Sequence, residues 1–354
     1  MPSSREPSSR ESSSQASSRG ESSRTASSSA DSPSAKGGGP LTLAFVMDPV
    51  EREPMNASTT IVLMREAQDR GHRVLYVDPA DLCVDDGRVR AEAAPITLDL
   101  ASEAPVRRGP ARVVDFDLEI DVAFQRKDPP VDRDYIVATQ ILDVCRKTLV
   151  LNRPSSVISF NEKLLAVRFA DLMPATRVTR HIRELREFMQ IHGGQMIVKP
   201  LDGKGGEGIF HLVEDDRNLT SILEQSTLFG KRSVMAQAYL PDVRKGDKRI
   251  LLLEGEPIGA VLRVPAAHES RANLHVGGTP ARAPLDEADR EILARVGPFA
   301  REHGLFFVGI DVIGGRLTEI NVTSPTGIQE INALENARLE AQVMDRVEAL
   351  VAAR

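Results

Sequence analysis

Apolar residues along this chain fall into short runs and 3.6-residue stripes that mark alternating strands and helices. Leu41-Thr-Leu-Ala-Phe-Val-Met47 reads as a buried strand. A polar loop, Asp48 to Met55, leads to a helix predicted from about Asn56 to Arg70. Ile61, Leu63, Met64 and Ala67 give that helix an inward face, and Gly71 suits its C′ position. Val74-Leu-Tyr-Val77 is the next strand, so the chain opens as a βαβ unit and implies a parallel sheet. A small hairpin at Asp86-Gly87, a strand at Val122-Ala-Phe124, a helix near Asp134 to Arg146 and a strand at Leu149-Val-Leu151 complete a first α/β unit of about a hundred residues.

A helix from Asn161 to Ala170 opens the second part. Thr179 is expected to cap a helix through Gln190, with Ile182, Leu185 and Phe188 inside and Arg183 and Glu187 paired at i,i+4 outside. Strands follow at Met196 to Val198 and Ile209 to Val213, then a helix near Leu219 to Leu228 and strands at Val234 to Ala238 and Arg249 to Leu253. Glu254-Gly255-Glu256 turns into a strand from Ile258 to Val264. Helices from about Glu287 to Glu302 and Leu339 to Ala353 flank a last hairpin. This order predicts an α/β domain followed by α+β units.

Composition narrows the function classes. The chain has 354 residues and a net charge of −6, with no basic block in its folded part and no Trp, which disfavours nucleic acid as a partner. Its apolar runs, such as Leu41 to Met47 and Arg249 to Leu253, are too short to span a bilayer. Cys83 and Cys145 are too few for a zinc pattern or a disulfide framework and read as thiols of a reducing cytoplasm. Residues 1 to about 40 are Ser-rich, nearly free of large apolar residues, and expected to be disordered. Glu6, Glu11, Glu21 and Asp31 count against a transit peptide there, and no apolar stretch marks a secretory signal.

The last hairpin carries chemistry. Phe306 to Ile310 leads in, and Leu317-Thr-Glu-Ile-Asn-Val322 leads out. Side chains alternate along a strand, so Glu319 and Asn321 share a face. If Gly314-Gly315-Arg316 is a three-residue connection, Asp311 stands opposite Glu319 on that face; a two-residue turn would slip the register and separate the carboxylates. Two carboxylates and an amide oxygen together suit Mg²⁺. The plain alternative is a hairpin with a solvated polar face.

Upstream, Lys199-Pro-Leu-Asp-Gly203-Lys-Gly205-Gly206-Glu-Gly208 lies between two predicted strands, where glycine N–H groups can approach phosphate oxygens. It is not a Walker A loop, and the first strand-to-helix loop has no dinucleotide fingerprint. Lys163 starts a helix and is by itself an ordinary surface lysine. The strand-to-loop passage Gln237-Ala-Tyr239-Leu240 could bond an adenine edge through its backbone or be plain connectivity. Asp247, Arg249, Arg263, Arg271 and Asn273 bring charge and polarity to strand mouths; converging arginines suit an anionic substrate, whereas each alone would be a rim ion pair. Arg126-Lys-Asp128-Pro-Pro follows a strand end, where open α/β sheets bind ligands. No nucleophile elbow or zinc-hydrolase helix motif occurs.

Taken in order, these segments resemble the bacterial glutathione synthetases of the ATP-grasp superfamily, from about Leu41 to about Glu330. The motifs are Val46-Met-Asp-Pro49, Arg126 to Pro130, Asn161-Glu-Lys-Leu164, Lys199 to Gly203, Met235-Ala-Gln237 with Tyr239-Leu-Pro241, Gly246-Asp-Lys-Arg249 and Leu317 to Thr326. Beyond the disordered extension over 1–40 that composition sets apart, the resemblance implies an ATP-grasp fold: a preATP-grasp α/β domain over 41–160 on the peptide side and an ATP-grasp domain over 161–354. Within the last, a lid covers about 161–235 and a catalytic part about 236–354. It implies that Lys163 and Lys199 hold the ATP phosphates, that the loop Gly203 to Gly208, with Gly205 and Gly206, closes over them, and that Gln237, Tyr239 and Leu240 hold adenine, with Asp247 near the ribose or the second lysine. Asp311, Glu319 and Asn321 would bind Mg²⁺, or Mn²⁺ in its place. Arg249, Arg263, Arg271 and Asn273 would orient the acyl phosphate and carboxylates, and Arg126 and Asp128 the dipeptide. The implied reaction is ATP-dependent ligation of γ-glutamylcysteine to glycine by a cytoplasmic homotetramer whose partners are small molecules, with neither nucleic acid nor membrane involved. Ala238 stands where the family has Asn, the chain diverges after Glu330, and the Ser-rich start lies outside the pattern. Two rivals remain open at this point: an ATP-grasp carboxylate–amine ligase with a different substrate, and a non-catalytic ATP-binding regulator.

Overall fold

In the computed structural model, which describes residues 39–203, 205–266 and 278–354, three sheets follow one another along the chain. The Ser-rich extension, Lys204, Arg271 and Asn273 lie outside the described residues. The opening apolar run becomes β1 (Thr42–Val46), followed by α1 (Thr59–Asp69) and β2 (Arg73–Val77). Ser58 caps α1 by accepting from the Ile61 N–H at 3.3 Å. β3 (Cys83–Asp85) and β4 (Arg88–Leu98) meet through Asp86 and Gly87, both at positive φ, as the hairpin signal expects. Then come β5 (Val106–Arg108), β6 (Arg112–Asp115), α2 (Phe116–Glu119), β7 (Val122–Gln125), α3 (Arg133–Leu142), β8 (Leu149–Leu151) and α4 (Pro154–Ser159). The sheet runs β3-β4-β2-β1-β7-β8, with β1 parallel to β2 and β7, and β7 parallel to β8. Beyond that small hairpin the pattern reading missed the length of β4, and β5 and β6 with it: β4 is rich in Arg and Ala and contains Pro95, so its apolar signal is weak although alternate side chains are buried.

The second sheet is antiparallel. α5 (Glu162–Ala166) is shorter than expected because the chain tightens into a 3₁₀ turn over Val167–Leu172. β9 (Thr176–Thr179), α6 (Ile182–Ile191), β10 (Gln195–Pro200), β11 (Phe210–Val213), α7 (Leu219–Ser226) and β12 (Val234–Ala238) follow, in sheet order β11-β10-β12-β9. Thr179 is not the cap residue of α6: it pairs with Val234 inside β9, and the helix starts three residues later. Its hydroxyl still serves that turn, accepting from the His181 N–H at 3.1 Å and donating to Glu184 Oε2 at 2.5 Å.

The third sheet has the order β15-β14-β13-β16-β17. It contains β13 (Asp247–Leu253), β14 (Glu256–Val264), β15 (Thr279–Arg282), β16 (Phe307–Ile313) and β17 (Arg316–Asn321). α8 (Glu287–Glu302), with a capping box at Asp286 and Asp289, covers one face. α9 (Ile328–Glu335) and α10 (Leu339–Ala352) return the chain end to its start: Val343, Met344 and Val347 share a core with Leu43, Phe45 and Ile61. The α/β then α+β architecture is the one the apolar pattern implied. No helix among the described residues is long and apolar enough to cross a membrane.

α8 lies so close to the turn between β13 and β14 that a Cβ built on Gly297 falls on the Gly255 carbonyl. Gly255 itself holds φ +79°. Gly to Ala inside a helix ordinarily stabilises by about 1 kcal/mol. Here overpacking reverses the sign, and Gly297→Ala should destabilise by about 1–3 kcal/mol in urea denaturation.

Candidate active site

The hairpin of β16 and β17 turns on two residues, Gly314 and Gly315, at φ 56° and 73°, and not on three. Ile313 pairs with Arg316 and Val312 with Leu317, after which the register shifts and Asp311 pairs with Glu319. Thr318 is the unpaired residue of a β-bulge, and its hydroxyl donates to the Asp311 carbonyl at 3.1 Å. The bulge supplies the one-residue slip that the sequence reading had assigned to the turn. Asp311 and Glu319 therefore do share a face, with Asn321 two residues further along it.

Register extends this row across the sheet. Asp247 pairs with Arg263 on one neighbour, and Arg249 pairs with Asp311 on the other. Arg249 donates from Nε to Asp311 Oδ1 at 2.5 Å and from Nη2 to Oδ2 at 2.9 Å. Arg263 Nη2 lies 3.1 Å from Asp311 Oδ2 and 2.6 Å from Asp247 Oδ2. Burial opposes charge on Asp311, but the two guanidiniums outweigh it and hold its carboxyl well below the usual range. Asp247 goes the other way: burial pushes it up to about 6 against the pull of Arg263, and Asp311 adds repulsion. Its Oδ1 has no hydrogen-bond partner among the described residues.

The opposite wall comes from the second sheet. Lys199, near the end of β10, is buried; burial pulls its pKa down against the attraction of Glu319, and Lys163 adds to the fall. Lys163 Nζ donates to the Gly203 carbonyl at 2.9 Å and to Glu319 Oε1 at 3.1 Å. Gly203 packs where a Cβ would meet Pro200 Cγ at 2.9 Å, so the loop there requires glycine. Gln237 donates to Thr176 Oγ1 at 3.1 Å, and the Ala238 N–H to the Ala175 carbonyl at 2.9 Å.

Between the walls lies a cavity of about 480 Å³. Lys163, Lys199, Gly203, Gly205, Gly206, Gln237, Tyr239 and Leu240 line one side, and Asp247, Arg249, Arg263, Asp311, Glu319 and Asn321 the other. Of the residues expected on the peptide side, Asp128 reaches the lining, where the Ser324 hydroxyl donates to it at 2.6 Å. Arg126 does not: it is buried behind the lining, donating to Thr60 Oγ1 and the Pro325 carbonyl, both at 3.0 Å. Arg271 and Asn273 fall outside the described residues.

Sequence reasoning gave no role to Glu162. Buried between Asn161 and Lys163, its Oε1 accepts from the Val322 N–H at 2.8 Å, the Thr323 N–H at 3.0 Å and the Thr323 hydroxyl at 2.8 Å. Burial raises its pKa, and Glu319 adds to the rise. Its only signal was its place in the Asn-Glu-Lys triplet. Asp311, Glu319 and Asn321 offer oxygen donors from one face and so fit a hard divalent cation. With two acids and one amide this site is not a cluster of three His, Cys, Asp or Glu side chains, and no such cluster gathers anywhere among the described residues.

Asp247 and Asp311 have opposite linkage to pH. Between about pH 4 and 6 the folded state keeps the Asp247 proton that the unfolded chain, with its value of 3.8, has lost, so this group lowers stability as pH rises through that window. Asp311 favours its ionised form on folding, and its contribution disappears only as pH falls below the ordinary carboxylate range. Asp247→Asn should remove a decline of about 2–3 kcal/mol between pH 4 and 7, seen as a flatter urea-derived stability profile than the wild type. An equal slope in both proteins would refute the assignment.

Two family models match the chain: "Prokaryotic glutathione synthetase, N-terminal domain" over residues 41–157 and "Prokaryotic glutathione synthetase, ATP-grasp domain" over residues 162–336. The glutathione synthetase of Gloeobacter violaceus is 47% identical over 317 residues, spanning 86% of this chain and 96% of the relative. That of Mesorhizobium japonicum is 45% identical over 310 residues, spanning 87% and 98%. Among solved structures, D-cycloserine synthetase DcsG superposes with a TM-score of 0.60 at 15% identity, over 86% of this chain and 99% of its own. A RimK domain ATP-grasp protein from Sphaerobacter thermophilus does so with a TM-score of 0.57 at 17% identity, over 86% and 98%. At such identities these structures speak for the fold alone.

Proposed function

The chain belongs to the prokaryotic glutathione synthetase family, and from that premise we propose how its residues divide the work of the reaction. The protein is an ATP-dependent carboxylate–amine ligase with the ATP-grasp fold, joining γ-L-glutamyl-L-cysteine to glycine to give glutathione, ADP and phosphate. What carries the assignment of roles is the meeting of two lysines and a glycine loop with a row of acids and arginines across one cavity.

Lys163 and Lys199 neutralise the phosphate oxygens of ATP while the Gly203–Gly206 loop covers them with backbone N–H groups. The passage from Gln237 to Leu240 holds the base, and Asp247 lies toward the ribose. The C-terminal carboxylate of γ-glutamylcysteine attacks the γ-phosphorus; its new O–P bond forms as the bond to ADP breaks, leaving an acyl phosphate. The amine of glycine, once deprotonated, then attacks the acyl carbon, and the C–O bond to phosphate breaks. Arg249 and Arg263, held in place by Asp311 and Asp247, face the charge that develops on these oxygens, a role for which preorganised guanidiniums are suited. Asp311, Glu319 and Asn321 would hold Mg²⁺, or Mn²⁺ in its place, and the cation would supply further charge neutralisation at the phosphates. Asp128 faces the peptide, Arg126 acts through the Pro325 carbonyl it supports, and Arg271 and Asn273 complete the substrate set. No side-chain nucleophile is required, because positioning and electrostatics supply the acceleration.

The same reading makes 41–160 the peptide-side domain, about 161–235 the lid and about 236–354 the catalytic part. A homotetramer in the cytoplasm belongs to it, and the free thiols of Cys83 and Cys145 accord with a reducing compartment. Purified protein should release ADP only when γ-glutamylcysteine and glycine are both present, and other acceptor amines should not substitute. Glu319→Gln should keep the far-ultraviolet circular dichroism of the wild type while ligation falls by about a hundredfold or more. ADP release indifferent to the peptide, or a fully active Glu319→Gln, would sink these assignments.

A further inference from the structure

His211 on β11 is not part of the cavity lining, yet its imidazole lies flat on the ring of Tyr239, which is. The ring centroids are 4.0 Å apart and the planes 8° from parallel. Register explains the encounter. His211 pairs with Ile197, and Ile197 with Gln237, so the three form a row on one face across β11, β10 and β12. Ile197 and Gln237 both line the cavity, so this face is the one turned toward it. Tyr239 follows Gln237 by two residues, just beyond β12, and its ring meets the imidazole over the start of β10. There Gln195 Oε1 lies 3.1 Å from His211 Nε2, which fixes the imidazole in its own plane.

Two further facts give the stack weight. Burial and the nearby Arg244 guanidinium hold the His211 pKa below its usual value, so the ring is neutral at pH 7 and packs as an aromatic group. Position 238 is Ala, with its N–H committed to the Ala175 carbonyl, so it brings no polar side chain to the cavity. The wall beyond Gln237 therefore depends on Tyr239 and Leu240 being correctly set.

We propose that His211 is a positioning residue for the nucleotide base: by stacking on Tyr239 it fixes the Tyr239–Leu240 wall against which the base packs. This rests on the nucleotide reading of the cavity. His211 need not touch the nucleotide, since its effect passes entirely through the Tyr239 ring.

The test combines steady-state kinetics at varied ATP with calorimetric ADP binding. His211→Ala should raise KM for ATP and Kd for ADP about three- to tenfold, the worth of one aromatic stack. Its kcat at saturating ATP and its KM for glycine should stay within about twofold of the wild type. His211→Phe, which keeps a flat ring, should restore ATP affinity. In a Tyr239→Ala background, His211→Ala should add nothing further. An unchanged KM for ATP in His211→Ala, equal losses in the Ala and Phe variants, or additive losses with Tyr239→Ala would each overturn the proposal. Wild-type protein that fails to bind ADP at all would instead overturn the nucleotide reading beneath it.

Discussion

The structure of the site hangs on one constraint, the alignment of charge across neighbouring strands of the third sheet. Strand register brings Asp247 opposite Arg263, Arg249 opposite Asp311, and Asp311 opposite Glu319 on a single face. Two buried carboxylates between two guanidiniums are costly to desolvate, and only mutual pairing makes the group tolerable. Each member is consequently fixed by the others, and the row forms a rigid floor. Against that floor the second sheet brings Lys199, and the start of α5 brings Lys163, whose ammonium completes the alternation by pairing with Glu319. The arginines so placed are preorganised, with little side-chain entropy left to lose when an anion arrives.

Three consecutive side chains at the start of α5 connect the floor to the rest. Asn161 caps the helix and donates to the Leu201 carbonyl at 2.9 Å, Glu162 gathers the backbone just past β17, and Lys163 holds the Gly203 carbonyl. One turn of helix thus ties the glycine loop to the Glu319 end of the charged row and to the backbone just past it. Any movement of the four-stranded sheet must be accommodated around this triplet, which explains why so short a helix carries two of the buried charges in the site, Glu162 and Lys163.

The strong apolar runs were legible in sequence. β1, β8, β12 and α8 appear close to where periodicity predicts them, and the parallel pairing of β1 and β2 follows from the βαβ opening. β4 was legible only at its hairpin turn, because beyond it the buried alanines alternate with Arg and Glu and carry little hydrophobic contrast. In the site, the shared face of Asp311 and Glu319 was read correctly, but its origin was not. A bulge at Thr318 leaves no composition signature, whereas the Gly-Gly turn does. Glu162 and His211 escaped for a related reason: both act through tertiary partners more than ten residues away in the chain, Thr323 and Tyr239. Arg126 had the opposite fate. Its type suggested direct contact with an anion, and burial against Thr60 and Pro325 puts it one layer back.

The return of α10 to the first sheet bears on how the polypeptide is made. Val343, Met344 and Val347 complete the same apolar core as Leu43, Phe45 and Ile61, and Arg70 reaches across to Asp345 at 2.7 Å. The α/β unit that opens the fold looks self-sufficient in sequence, yet one of its faces stays open to solvent until α10 has been made. During synthesis, that exposed apolar face must wait while the second and third sheets are made. Closure of so long a loop is entropically slow, and an uncovered core over that interval invites chaperone holding. α10 thus acts as the keystone of biogenesis, and chains cut short before it would strand the first domain even where every residue of that domain has been translated.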